Sequence, residues 1–166
     1  MGQQNATFNR CIRENKRFID CINLAVGEKV FEAEYLKDKD TCLLGKRLNG
    51  TGTYEKHRDV IKFYDSPMAS AIIAIESQSE VNTAMVVRKM IYDAYEYDCQ
   101  LAKLRNDHHK AKDLKGAQYI AGFSKKDYII PVITICVYLG KEKWDAPIYL
   151  HDLINFSTYN KKQKTL

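Results

Sequence analysis

The chain has 166 residues, with 45% hydrophobic and 11% aromatic content, which suits a single folded domain and argues against a disordered chain. No apolar run approaches the roughly 20 residues needed to cross a bilayer, and no apolar signal segment follows the N-terminus, so we expect a cytoplasmic protein without membrane association. The net charge of +5 is too small to name a partner, and five widely spaced cysteines without a C-x-x-C pair predict free thiols.

The N-terminal part predicts one helix and then a charged connection. Apolar residues recur at helical spacing over residues 6–26, and Gly27 is expected to end the helix. Residues 28–40 are highly charged, with two isolated apolar positions, and favour one or two further helical turns at most. The N-G and T-G steps of LNGTGTY (48–54) indicate a loop or hairpin.

The centre of the chain predicts a β-hairpin. RDVIKFY (58–64) has apolar residues spaced between charged ones, and DSP (65–67) is a turn signal. ASAIIAIE (69–76) is a compact run rich in β-branched residues, typical of a central strand. The two runs therefore predict neighbouring antiparallel strands.

A long helix and a short segment follow the hairpin. Ser79 is expected to cap the N-terminus of a helix over about 80–105. Gly116 and Gly122 bracket a further segment.

The last part predicts a buried strand at YIIPVITICVYLG (128–140) and then a turn with a short helix at 144–154. Residues 155–166 form a basic tail. The order of elements predicts a single α/β domain over residues 1–154, with helices packed on a sheet.

The best candidate for chemistry lies where the two central strands meet. Asp59 stands on the first predicted strand and Glu76 near the end of the second, so antiparallel pairing can bring both acids to one rim of the sheet. Carboxylates held together repel each other, and a hard divalent cation relieves that repulsion. Gln78 faces the same side as Glu76 and could orient water. The alternative is that Glu76 is solvated or caps the following helix.

Several segments together resemble the Rpn family, the recombination-promoting nucleases of the PD-(D/E)XK superfamily. They are I-E-x-Q-S at 75–79, R-x-x-x-Y at 88–92, PVIT-x-x-x-Y-x-G at 131–140 and WD-x-P at 144–147. RFIDCINLAVGEKVFEAEYLKDKDT (17–41) is similar to the family's N-terminal helix, and the matches follow family order over most of the chain.

The resemblance implies a restriction-endonuclease-like mixed sheet flanked by helices, and a DNA endonuclease that uses Mg²⁺ or Mn²⁺. It implies that Asp59 and Glu76 hold the metal, with Gln78 in the position of the usual Lys. Gln at that position is common in the family, but it cannot supply a positive charge. Asp20 matches the family's N-terminal acid and would join the metal through water; a solvent-facing helical Asp is the alternative.

The candidate phosphate contacts are basic and aromatic residues. Arg88 and Tyr92 match the family's R-x-x-x-Y and lie one turn apart on a helix, where they could hold a phosphate or form a structural pair against the sheet. Four cations of the basic stretch 103–115 could follow a DNA backbone or simply be solvated; they are Lys103, Arg105, Lys110 and Lys112.

The leading function predicted is Mg²⁺-dependent hydrolysis of DNA, in a mobile-element, phage or bacterial-defence context, with a homodimer expected from the resemblance. The chain stops at Leu166, short for the family, so the alternative is a relative that no longer cuts and binds nucleic acid or inhibits a partner protein.

Overall fold

The computed structural model describes residues 3–40, 42–46 and 53–156. In chain order the elements are helices α1 (Gln3–Ile12) and α2 (Asn15–Val26), a 3₁₀ turn (Ala33–Tyr35), strands β1 (Leu36–Asp38), β2 (Cys42–Lys46), β3 (Thr53–His57), β4 (Val60–Asp65) and β5 (Ser70–Gln78), helices α3 (Met85–Ala111) and α4 (Gly116–Ala121), strand β6 (Val132–Tyr138) and a second 3₁₀ turn (Leu150–Leu153).

Four of these strands form a mixed sheet in the order β1-β4-β5-β6, while β2 and β3 form a separate antiparallel pair. Strands β4 and β5 are antiparallel, and β6 returns parallel to β5 after α3. Helices flank the sheet, so the prediction of a single α/β domain is confirmed, and the predicted central hairpin is confirmed by β4 and β5.

The two faces of the sheet carry separate apolar clusters because side chains alternate along each strand. On one face, Val60, Tyr64, Ile73 and Ile75 pack with buried residues of α1 and α2. On the other face, Ile61, Ile72 and Ala74 form a smaller cluster with the segment that leads into β6.

The prediction of one helix over residues 6–26 is wrong in its continuity. The chain breaks between α1 and α2, and the end at Gly27 is confirmed, since Gly27 adopts φ of 82° at the C-cap. On one straight helix the buried residues of the two segments would face directions roughly 100° apart, at 3.6 residues per turn. The break lets both apolar faces reach the sheet.

The further helical turns expected in 28–40 amount to one 3₁₀ turn, followed by a strand. Leu36 of β1 is buried in the core and pairs with Tyr64 of β4. Pairing within the sheet therefore makes this segment a strand and not a helix. Most of the loop or hairpin predicted at 48–54 lies outside the described residues, although flanking β2 and β3 do pair antiparallel.

The long helix starts later and ends later than the sequence predicts. Strand β5 continues to Gln78, and Asn82 rather than Ser79 forms the turn before α3, since its side chain accepts a hydrogen bond from the N–H of Ala84 at 3.0 Å. At the other end α3 runs to Ala111, and Lys112 adopts the left-handed conformation with φ of 52°.

The segment bracketed by Gly116 and Gly122 forms helix α4, which begins at Gly116 and is capped by Gly122 with φ of 65°. Strand β6 is shorter than predicted and is half-buried rather than buried, because it pairs within the described ranges with β5 alone. Helix α3 holds the segment before β6 through Gln100, whose side chain bonds both backbone groups of Ile130. The predicted short helix after residue 144 is the second 3₁₀ turn.

None of the helices in the described ranges combines the length and apolarity needed to cross a bilayer. The four cysteines with described side chains, Cys11, Cys21, Cys99 and Cys136, are free thiols.

Candidate active site

The two predicted acids lie at one end of the β4–β5 pair. Val60, the first residue of β4, pairs with Ile75 of β5. Asp59 immediately precedes Val60 and Glu76 immediately follows Ile75, so antiparallel register brings the two positions together. The pairing of β4 with β5 therefore brings Asp59 and Glu76 to one rim of the sheet, as the sequence predicts.

Asp59 is tied to the strand beside it. Its Oδ2 accepts hydrogen bonds from the backbone N–H and the hydroxyl of Ser77, both at 2.8 Å. Two donors fix the direction of the carboxylate without neutralising its charge, so the carboxylate could still bind a cation.

Glu76 is fully buried, and two arginines face its carboxylate. Arg58 Nε lies 3.3 Å from Oε1, and Arg88 Nη2 lies 3.8 Å from Oε2. Oε2 has no hydrogen-bond partner. Burial raises the pKa of Glu76 to about 7; the charge of Arg58 opposes this rise, and the charge of Asp59 adds to it. The folded protein therefore holds a carboxyl group that titrates near neutrality.

Arg58 is a central residue that the sequence reasoning missed. Its side chain is fully buried, and Nη2 lies 3.3 Å from Asp93 Oδ1 on α3 and donates to Thr134 on β6. Its guanidinium also lies over the ring of Tyr92, 5.5 Å from the centroid. Arg58 thereby links the rim acid Glu76 to α3 and β6.

Only one signal pointed toward this network. Thr134 is a polar residue inside the apolar run 128–140, and such a residue needs a buried partner. The identity of the partner follows from the fold alone.

Arg88 and Tyr92 form the pair that their spacing predicts. Arg88 Nε donates to the Tyr92 hydroxyl at 3.0 Å, and the guanidinium lies 5.4 Å from the ring centroid. Tyr92 is buried, whereas about a third of the Arg88 side chain is exposed. Tyr92 thus orients an arginine that faces both Glu76 and solvent.

Gln78 ends β5 and is half-buried, two residues beyond Glu76 and on the same face of the strand. Asp20 lies on the exposed side of α2. Asp59 lines two clefts, and neither is lined by Asp20; both are lined by Arg13, just beyond α1.

The cations predicted to contact DNA are exposed along the C-terminal half of α3 and its cap. At 1.5 Å of rise per residue, Lys103 lies roughly 22 Å and Lys110 roughly 33 Å from Arg88 along the helix. The structure therefore separates the basic stretch from the rim that holds Asp59 and Glu76.

The donor set at the rim suits a hard cation only in part. Carboxylate oxygens are the ligands that Mg²⁺ prefers, and Glu76 Oε2 is a buried acceptor without a donor. Against this, Arg58 already balances much of the Glu76 charge. Across the described part of the chain, no group of three or more His, Cys, Asp and Glu side chains is arranged to hold a metal ion.

Comparison with protein-family models, with curated proteins and with solved structures finds no match for this chain.

Proposed function

We propose that this chain is a metal-dependent DNA endonuclease with a restriction-endonuclease-like fold of the Rpn type. The observation that carries the proposal is the pair Asp59 and Glu76 at one rim of the sheet, with Oε2 of the buried Glu76 lacking a hydrogen-bond donor. A buried carboxylate oxygen without a hydrogen-bond donor costs free energy, and a cation bound at the rim would remove that cost. The antiparallel pair β4–β5, followed by α3 and a parallel β6, supports the fold part of the proposal.

Asp59 and Glu76 are the residues that would hold Mg²⁺ or Mn²⁺. Bound there, the metal would lower the pKa of a coordinated water and stabilise charge on a phosphate. The hydrogen bonds from Ser77 hold Asp59 in one orientation, and the β5 backbone holds Glu76.

Gln78 and Arg88 would act on the substrate directly. The Gln78 carboxamide can both donate and accept hydrogen bonds, so it can orient the attacking water without carrying charge. Arg88 donates Nε to Tyr92 and has Nη2 3.8 Å from Glu76 Oε2, so its Nη1 would be the donor to a phosphate oxygen. Positioning and charge stabilisation of this kind supply most of the rate in phosphoryl transfer.

One observation favours a second candidate function, a non-cutting protein that binds nucleic acid or a partner protein. Arg58 lies 3.3 Å from Glu76 and is fully buried, so it neutralises the carboxylate in the absence of metal. A chain in which this ion pair is permanent would keep the fold and lose the cation site.

A cleavage assay distinguishes the two candidates. Purified protein is incubated with supercoiled plasmid in Mg²⁺, in Mn²⁺ and in EDTA, beside Asp59→Asn and Glu76→Gln. The matched control is Glu80→Gln, an exposed acid four residues beyond Glu76. We expect nicking that needs metal, is lost in both rim variants and persists in the control.

Calorimetric titration with Mn²⁺ gives a second readout that needs no turnover. We expect binding by the wild type and by Glu80→Gln, and none by the rim variants. Equal nicking by wild type and rim variants, or a wild type that neither binds metal nor nicks DNA, would overturn the nuclease proposal.

A further inference from the structure

A cleft of about 500 Å³ lies between helix α1 and the Asp59 rim, a volume typical of a ligand site. It is lined on one side by α1 and the residue beyond it, and on the other by the residues that lead into β4. The lining residues are Ala6, Asn9, Arg10, Arg13, His57, Arg58 and Asp59. Two exposed arginines, Arg10 and Arg13, thus line a cleft that contains one carboxylate.

Both of these arginines are available to a ligand. Arg10 and Arg13 are exposed, and neither forms an ion pair with a carboxylate among the described residues. Asn5, Asn9 and Ile12 of α1 are buried. Arg10 of α1 and Arg13, just beyond it, are exposed and line the cleft.

Two residues in the wall of the cleft carry buried polar atoms without partners. Nη1 of Arg58 is a donor with no hydrogen bond, although the side chain is fully buried. Oδ1 of Asn9 is likewise unpartnered, and Asn9 is only 7% exposed. Asn9 Oδ1 is an acceptor, and the Arg58 guanidinium faces Glu76, Asp93 and Thr134, so neither atom would hold an anion. The exposed guanidinium groups of Arg10 and Arg13 are the donors that fit an anion with several oxygens.

The position of the cleft indicates which anion. Asp59, one of the two rim acids, lines the cleft itself, whereas the basic stretch of α3 begins roughly 22 Å along the helix from Arg88. A backbone phosphate in the cleft would lie next to the rim. It would therefore belong to a nucleotide that neighbours the one at the rim, and not to a distant turn of the duplex.

We propose that the cleft lined by Arg10 and Arg13 binds the sugar–phosphate backbone of DNA beside the rim acids. The inference rests on the proposed nuclease function for its choice of DNA, but it concerns binding alone. Arg10 and Arg13 contact phosphate oxygens.

The test measures DNA affinity without turnover. Fluorescence anisotropy of a labelled duplex is followed in EDTA at several salt concentrations for wild type and for the double variant Arg10→Gln, Arg13→Gln. Each phosphate contact contributes about 0.9 to the slope of log affinity against log salt, so loss of two contacts lowers the slope by about 1.8. When the salt concentration falls from about 1 M to about 0.1 M, the affinity of the variant for DNA therefore rises roughly 60-fold less than that of the wild type.

The matched control removes the same charge from α3, in Lys110→Gln, Lys112→Gln. We expect this variant to keep the wild-type slope, and circular dichroism melts confirm that both double variants fold. Equal effects of the two double variants, a larger effect at α3, or no binding by the wild type would overturn the cleft proposal. Displacement of the duplex by millimolar inorganic phosphate at constant ionic strength would also overturn it, because the cleft would then take free phosphate.

The outcomes separate this inference from the nuclease proposal. A wild type that binds through Arg10 and Arg13 and never nicks DNA refutes nuclease activity alone. A wild type that nicks DNA, with an Arg10, Arg13 variant of unchanged affinity, refutes the cleft alone.

Discussion

Replacing Glu76 by glutamine is expected to stabilise the protein above neutral pH. Glu76 is fully buried, and burial raises its pKa to about 7 from an ordinary 4.5 despite the opposing charge of Arg58. Folding at alkaline pH therefore buries a charge that would be hydrated in the unfolded chain. Glutamine has nearly the same shape and carries no charge.

The magnitude follows from the pKa difference. A shift of one pKa unit corresponds to about 1.4 kcal/mol, so a rise from 4.5 to about 7 costs the folded state about 3 kcal/mol once the group is ionised in both states. Between those two values the folded protein takes up a proton that the unfolded chain does not. The contribution of Glu76 to the free energy of unfolding therefore becomes more favourable as the pH falls from about 7 toward 4.5, and less favourable as the pH rises.

Urea denaturation from about pH 5 to about pH 8 measures this difference as the free energy of unfolding. We expect Glu76→Gln to exceed the wild type by about 3 kcal/mol at the alkaline end and the difference to shrink toward the acid end. The exposed control Glu80→Gln should follow the wild type throughout. A Glu76→Gln variant that is less stable than wild type at about pH 8, or a difference that does not change with pH, would refute the reasoning.

Two further predictions concern other buried and bridging charges. Arg58→Met should lower the free energy of unfolding by about 3–5 kcal/mol, because it leaves Glu76 buried without its counter-charge; chemical denaturation measures this, and an unchanged midpoint would contradict it. His108 bridges Asp113 and Asp127 at 2.8 Å each, and these hydrogen bonds raise its pKa. His108 should therefore stabilise the fold fully below its ordinary pKa and lose that contribution as the pH rises through the raised value. His108→Asn should abolish this dependence in thermal melts, and equal dependence in both proteins would exclude the bridge as its cause.

The hairpin β4–β5 could be predicted because its signals are local. Alternation, a D-S-P turn and a run of β-branched residues each act within a few residues, and they also determine that Asp59 and Glu76 reach one rim. Strand β1 could not be predicted, since a three-residue segment has little preference of its own. Leu36 is in a strand because Tyr64 pairs with it across the sheet.

The break between α1 and α2, like strand β1, could not be predicted from local sequence signals. The sequence from 6 to 26 has a helical apolar spacing, but the directions in which its buried residues must point are set by the sheet beneath them. The break positions α1 against the Asp59 rim, where Arg10 and, just beyond the helix, Arg13 border a cleft, while Asp20 on α2 faces solvent.

The sequence by itself determined an α/β domain, its central hairpin and the two acids at the rim, because periodicity and turn chemistry are properties of neighbouring residues. Only the tertiary structure decided the surroundings of those acids. Arg58, Asp93 and Thr134 come from three distant parts of the chain. Asp93 and Thr134 bond Arg58, which in turn bonds Glu76, only after α3 and β6 have packed beside β5. The raised pKa of Glu76 has the same origin, since burial is a property of the fold and not of any single residue.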